Sequence, residues 1–378
     1  MDVKLLLHKN KYLLFFLILF FINIGFKEVF RLFEETDLDI AFYFFSIIIS
    51  IVALALSSNL LNNNLYYKVY CLTSFLFLIL FVSSFTAEDT IYGIQKCFLG
   101  LLLPLLLFSI FIRFNWSPKF IYDCFIFAVI IIIVIAIPYK ISNGLFIRST
   151  SFGLLGSIPF GWVNGMSFII VGLKQNKKVS DYFLMLVFIL MIIWTGSKGP
   201  LLAMTIIILI NFNKILGDKI STKIITFLLL FLAGLVIFNY AEDIRSVRSI
   251  IAFFNDPEGY TDGVGRGSIG TRSNYIGLAF DTFLKYPIFG AGFGSFAEVN
   301  FTFHQYPHNI YLEMLAEGGI ISLIIFLLIL LKNSFAGLGQ AVLFMLICLS
   351  FSGDISYFRY AFFPLLISSY INNYNKFV

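Results

Sequence analysis

The stretch that decides the fold is HNIYLEMLAEGGIISLIIFLLILL, residues 308–331. From Ile310 it is almost wholly apolar for about twenty residues, the length a helix needs to cross a hydrocarbon core. Into that run it sets Asn309, Glu313 and Glu317, spaced by four, so that they form one polar stripe along a helix. Carboxylates at membrane depth are costly and face a cavity or a cation. Glu317 is expected roughly 13 Å below His308 along the helix axis. Arg359, Lys96 and Asp354 are the candidate partners of the stripe. A purely structural buried ion pair is the plainer reading of that partnership.

The same texture fills the rest of the chain. Of its 378 residues, 60% are hydrophobic and 12% charged, where a soluble domain carries roughly 25% charged. This excludes two or three soluble domains. Apolar runs fall at 12–26, 40–57, 69–86, 91–112, 120–138, 151–173, 182–196, 199–212, 223–241, 309–331, 338–353 and 355–371. The first ends in Phe26-Lys27-Glu28 without a small-residue cleavage site, so it reads as a retained helix. With the N-terminus in the cytoplasm, the inner segments hold 14 of the 26 basic groups and only 4 of the 21 acids. That asymmetry predicts an N-in, C-in arrangement. The net charge of +5 is then a topology signal and asks for no nucleic acid.

The expected fold is an all-α polytopic integral membrane protein of about 12 transmembrane helices. Helices 1–9 occupy 1–240, a large outer loop occupies 241–307, and helices 10–12 occupy 308–378, all in one membrane domain. Cys71, Cys97, Cys124 and Cys348 sit inside apolar runs and read as packing residues, with neither disulfide nor metal-ligand spacing.

The chemistry is sought where charge breaks the positive-inside tendency. Lys27, Arg31, Lys140, Arg245, Arg248 and Lys285 read as ordinary loop charges, because long loops translocate regardless of charge. Lys198 lies in a tight outer turn, Trp194-Thr-Gly-Ser-Lys-Gly-Pro200, and Pro200 suits the first turn of a following helix. There the amine and the helix N–H groups can meet one anion, unless the lysine simply snorkels. Arg266 and Arg272 flank Gly267–Thr271, before an amphipathic helix expected over Thr271–Leu284 in the interface plane. Guanidinium forks suit a diphosphate, and solvated arginines are the alternative. His304 and His308 stand four apart, but Pro307 between them disfavours the helix a metal pair needs. No metal and no cofactor is expected. A single imidazole at the mouth of a helix suits a general base.

Two of these segments resemble a known family. One is Arg272 to Phe296, with Pro287-Ile-Phe-Gly290-Ala-Gly292 at its end. The other is Pro307-His308-Asn309-Ile-Tyr311-Leu312-Glu313-Met-Leu315-Ala-Glu317-Gly318-Gly319. Together they resemble the O-antigen ligase and Wzy-type polysaccharide polymerase superfamily, which reads as an Arg, then P-x-x-G-x-G, a loop, and H-N-x-x-L-x-x-x-x-E-x-G. Gly196-Ser197-Lys198-Gly199 is similar to the family's Ser-Arg-Gly turn, with Lys in place of Arg. The resemblance implies a GT-C-like membrane glycosyltransferase, specifically a polymerase of lipid-linked repeat units for O-antigen or capsule, working at the outer face of the bacterial plasma membrane. Undecaprenyl-diphosphate-linked glycan would be both donor and acceptor, and a chain-length regulator is a possible partner beside membrane lipid. It implies His308 as base, with Arg272, Arg266 and Lys198 holding the diphosphate. Asn309, Tyr311, Glu313, Glu317, Arg359 and Lys96 would support the site or bind sugar. The nearest rival is a ligase that moves finished glycan to lipid A core or another acceptor. A lipid-linked oligosaccharide flippase is the rival of another class.

Overall fold

A computed structural model describes residues 64–87, 89–106, 118–144, 155–174, 176–216, 268–296, 306–331 and 339–361, with Ser109, Phe152 and 364–365 besides. The expected spans at 12–26, 40–57 and 223–241, Arg266 and His304 lie outside the described residues.

What is described is all-helical apart from an isolated bridge between Phe152 and Leu155. In chain order the helices are α1 Asn64–Ser84, α2 Thr90–Cys97, α3 Pro118–Asn143, α4 Ser157–Gly172, α5 Val179–Trp194, α6 Lys198–Ile210 and α7 Phe212–Leu216. They continue as α8 Ser268–Lys285, α9 Ile310–Leu331 and α10 Gly339–Phe351. A 3-10 turn over Ile355–Tyr357 leads into the start of a last helix at Phe358. Asp89 caps α2, its carboxylate accepting from Tyr92 N at 2.9 Å, and α2 continues into a π-turn over Phe98–Leu102. Such wide turns shift a helix's register and recur at functional sites.

Apart from α7 and α8, these helices fall on the apolar runs, but most of them are shorter than full spans. Among the described residues, Lys119–Asn143 and Ile310–Leu330 are long and apolar enough to cross a membrane, while six others cover 10–17 residues. At 1.5 Å per residue a 16-residue helix reaches about 24 Å, short of a core of about 30 Å. Large apolar side chains point outward, among them Phe127, Val134 and Ile141 on α3 and Phe183 on α5. An apolar surface of that extent marks contact with membrane or with protein.

Within the bundle α4 packs on α5, α1 on α9, and α10 on both α4 and α6. Gly165 opens the way for the Phe344 ring, which a Cβ there would strike. The core is continuous through Trp162, Phe168, Phe188 and Phe344. A second, small cluster of Tyr275, Ala279, Phe296 and Ala316 docks α8 onto α9.

The structure corrects the reading of 309–331 as one uninterrupted span. Gly319 adopts φ 68 and ψ −175, which interrupts the helix. Tyr311 and Phe326 then lie with ring centroids 6.0 Å apart, although fifteen residues of straight helix would separate them by about 22 Å. The two halves of α9, 310–318 and 320–331, are therefore folded against each other. Length and hydropathy along the chain pass this segment as a span; its geometry does not. The reason is local, because only glycine takes that left-handed conformation without strain.

Candidate active site

The break in α9 is held by the glycine-rich loop that follows α8. Gly290 and Gly292 have positive φ, and the loop's N–H groups answer carbonyls that the interrupted helix leaves open. Ala291 N donates to Ala316 O at 3.0 Å, Gly292 N to Glu317 O at 3.1 Å, and Ile320 N donates back to Pro287 O at 3.0 Å. This is the capping that a helix C-terminus requires. A Cβ on Gly290 would run into the Glu317 carbonyl, and one on Gly319 into that of Ile288. The glycines of the two segments thus serve one joint.

At that joint sits a closed group of charges. Lys96 of α2 is 2% exposed, and Glu313 and Glu317 are fully buried. Lys96 Nζ donates to Glu317 Oε2 at 2.7 Å and lies 2.5 Å from Glu313 Oε1. The second is a charge contact without hydrogen-bond alignment. Glu317 Oε1 accepts from Phe296 N at 3.1 Å, and Glu313 Oε2 accepts from Ile355 N at 2.8 Å. Nζ also lies 4.7 Å from the Phe293 ring centroid and 5.3 Å from that of Tyr92. Of the partners the sequence offered for the carboxylate stripe, Lys96 takes both glutamates. Asp354 instead caps the 3-10 turn, accepting from Ser356 N at 2.9 Å. Arg359, 1% exposed, lies over the rings of Tyr360 and Tyr357 at 4.8 and 5.5 Å and donates to the Ser356 carbonyl.

His308 stands just before α9, half-buried, with φ 56. A non-glycine residue holds such a conformation only where its surroundings impose it. Those surroundings are two tyrosines. The imidazole stacks on Tyr275 of α8 with centroids 5.9 Å apart and planes at 22°, and Tyr306 lies 4.4 Å away on a tilted plane. Burial, then the acidic groups of Tyr357, Asp354, Tyr92 and Glu313, hold the Tyr306 phenol well above its ordinary value. It therefore stays protonated. Burial also pushes the Tyr275 phenol up. Neither tyrosine was singled out from sequence for the site; the signal available was Tyr306-Pro307-His308, where proline fixes the approach of both neighbours.

Asn309 uses both ends of its amide. Its Oδ1 accepts from Tyr311 N at 3.0 Å and Leu312 N at 3.2 Å, capping α9, and its Nδ2 donates to Ser350 O at 3.2 Å. Tyr311 packs on Phe326 and its hydroxyl meets Ser350. The same end of α10 touches the Lys198 turn, since a Cβ on Gly199 would meet Phe351 Cβ at 3.6 Å. Lys198 opens α6 behind Ser197, with Gly196 at φ 59. Arg272 stands one turn before Tyr275 in α8. The backbone therefore gathers His308, the Arg272 helix and the start of α6 around the end of α10 and the mouth of α9.

The O-antigen ligase family profile matches residues 183–327. Over that stretch the chain is similar to the O-antigen ligase family. The stretch runs from α5 through the first half of α9 and into the second, so it contains the Lys198 turn, α8, the glycine loop, His308 and both glutamates. Lys96 and Arg359 lie outside it. No curated protein matches the chain. That likeness to the family, with the apolar helices, is consistent with a membrane protein of the ligase and polymerase kind.

Proposed function

We propose that this protein polymerises lipid-linked polysaccharide repeat units, of O-antigen or capsule type, at the outer face of the bacterial plasma membrane. The observation that carries the reading is the His308–Tyr275 stack, which joins the histidine of one motif to the arginine-bearing helix of the other. A hydroxyl of the acceptor sugar attacks the anomeric carbon of the donor glycan. Its proton passes to His308, the new C–O bond forms, and the bond to undecaprenyl diphosphate breaks with its electron pair leaving on the diphosphate. Attack opposite the leaving group inverts the anomeric centre.

Diphosphate is a good leaving group, so the protein mainly has to stabilise developing charge and accept one proton. Arg272, Arg266 and Lys198 supply positive charge for the first task. Lys198 does so as a point charge, lacking the guanidinium fork. Tyr306, protonated and beside the imidazole, orients it. The family description favours one second reading, transfer of the glycan to a different acceptor such as lipid A core, which the same residues would serve.

Purified protein in liposomes with a lipid-linked repeat unit and EDTA tests the reading. A ladder of lengthening glycans is expected. A product formed only when lipid A core is added would make the protein a ligase, and repeat units crossing the bilayer unjoined would make it a transporter.

A further inference from the structure

We propose that Lys96 is a positioning residue for glycan transfer: through Glu313 and Glu317 it fastens the His308 end of α9 to the glycine loop behind the arginine helix and to the turn before Arg359. The inference rests on the transferase reading but stands on geometry of its own. Lys96 comes from α2, outside the matched stretch, and meets no solvent. Each glutamate divides its two oxygens in the same way, one toward Lys96 and one accepting a backbone N–H from another segment. For Glu317 that N–H is Phe296, eleven residues beyond the end of α8; for Glu313 it is Ile355, at the start of the 3-10 turn. Three segments thus meet on one ammonium.

The glycine loop is fitted to that meeting on its other side. A Cβ on Gly93, one turn before Lys96, would strike the Phe293 carbonyl, and one on Gly100 would strike that of Ile355. Phe296 in turn contacts Tyr275, at 6.1 Å between centroids, and Tyr275 stacks on His308. The path from Lys96 to His308 is therefore Glu317, Phe296, Tyr275, with each step a direct contact. Without the ammonium, two carboxylates would share a sealed site uncompensated; they would take up protons, leave the site or draw in water. Each response alters the contacts that set Phe296 and Ile355 and lets the imidazole shift. Displacement of about 1 Å at a reacting group costs about 100-fold in rate.

The test compares the full-length wild type, Lys96→Met, and the neutral triple variant Lys96→Met/Glu313→Gln/Glu317→Gln, all reconstituted in liposomes. The glutamines keep an amide oxygen for each backbone N–H while removing the charge that needed Lys96. Lys96→Met is expected to lower kcat about 100-fold with donor KM little changed, and the triple variant to recover most of that loss. A second readout needs no activity. Diethylpyrocarbonate modification of His308, followed by mass spectrometry against His8 in the same molecule, should quicken about threefold in Lys96→Met as the segment loosens and return to the wild-type rate in the triple variant. If Lys96→Met modifies and turns over like wild type, or if it is well folded by thermal midpoint and the triple variant rescues neither readout, the inference is overturned. If the wild type itself joins no repeat units to any acceptor, the transferase reading falls, and the modification arm still decides whether Lys96 positions His308.

Discussion

Two helices of this protein pass the same test for a membrane span and behave in opposite ways. α3, Pro118–Asn143, runs through with Pro138 inside it and Lys140 near its end over the Phe152 ring at 4.4 Å. α9 is four residues shorter and less hydropathic but passes too, yet it folds on itself at Gly319, carries two buried glutamates and begins beside a left-handed histidine. Hydropathy reports what a segment can dissolve in. It does not report whether the segment is straight. The difference lies in the backbone: α3 continues as one helix past Pro138, while α9 gives up that continuity at Gly319 and recovers hydrogen bonds from the glycine loop, which ties the His308 end of α9 to other elements.

The sharpest way to break this contrast is at the bend. Gly319→Ala introduces a Cβ at positive φ against the Ile288 carbonyl, and it should cost about 3 kcal/mol or more, read as a lower thermal midpoint together with loss of transfer. If Gly319→Ala is as stable as wild type, α9 is straighter than described. A smaller effect is expected from Asn309→Ala, which removes the cap of α9; about 1 kcal/mol of stability should be lost, with activity falling because His308 is adjacent. In α3, by contrast, Pro138→Ala should change stability by no more than about 1 kcal/mol and leave the rate of transfer unchanged. A large activity loss there would mean that α3 also positions the site.

The smallest effect belongs to the start of α5, remote from both helices. Burial tends to raise the Asp181 carboxyl, but the Lys178 N–H at 2.8 Å and Lys174 Nζ at 2.9 Å outweigh it and hold the group below its ordinary value of 3.8. A depressed carboxyl contributes stability that is complete above the unfolded value and is lost as pH falls through the folded one. Asp181→Asn should therefore lower the midpoint slightly at pH 7, and the gap between variant and wild type should close at more acid pH. A gap that widened in acid would contradict the assignment.

Much of this was legible from composition and spacing. Apolar runs located the helices because lipid-facing and core-facing positions are both apolar, and the amphipathic stretch Thr271–Leu284 is indeed helical, extending to Ser268–Lys285. The carboxylate stripe was visible, and Lys96 was among its candidate partners. What remained hidden is tertiary. Nothing in a one-dimensional pattern chooses Lys96 over Arg359, since both are lone cations in apolar surroundings; the packing of α2 against the joint makes the choice. The fold at Gly319 hid inside an unbroken apolar run, and its clue lay far away, in the matching glycines at 290 and 292. Tyr275 looked like one more apolar position of an amphipathic helix until the fold stacked it on His308.

The most direct test of the account is His308→Ala in the reconstituted, EDTA-treated liposome assay, with the thermal midpoint measured on the same preparation. If His308 is the base, the variant keeps a wild-type midpoint and its rate of glycan transfer falls about 1000-fold. A well-folded His308→Ala protein that still builds a full-length ladder at the wild-type rate would contradict it.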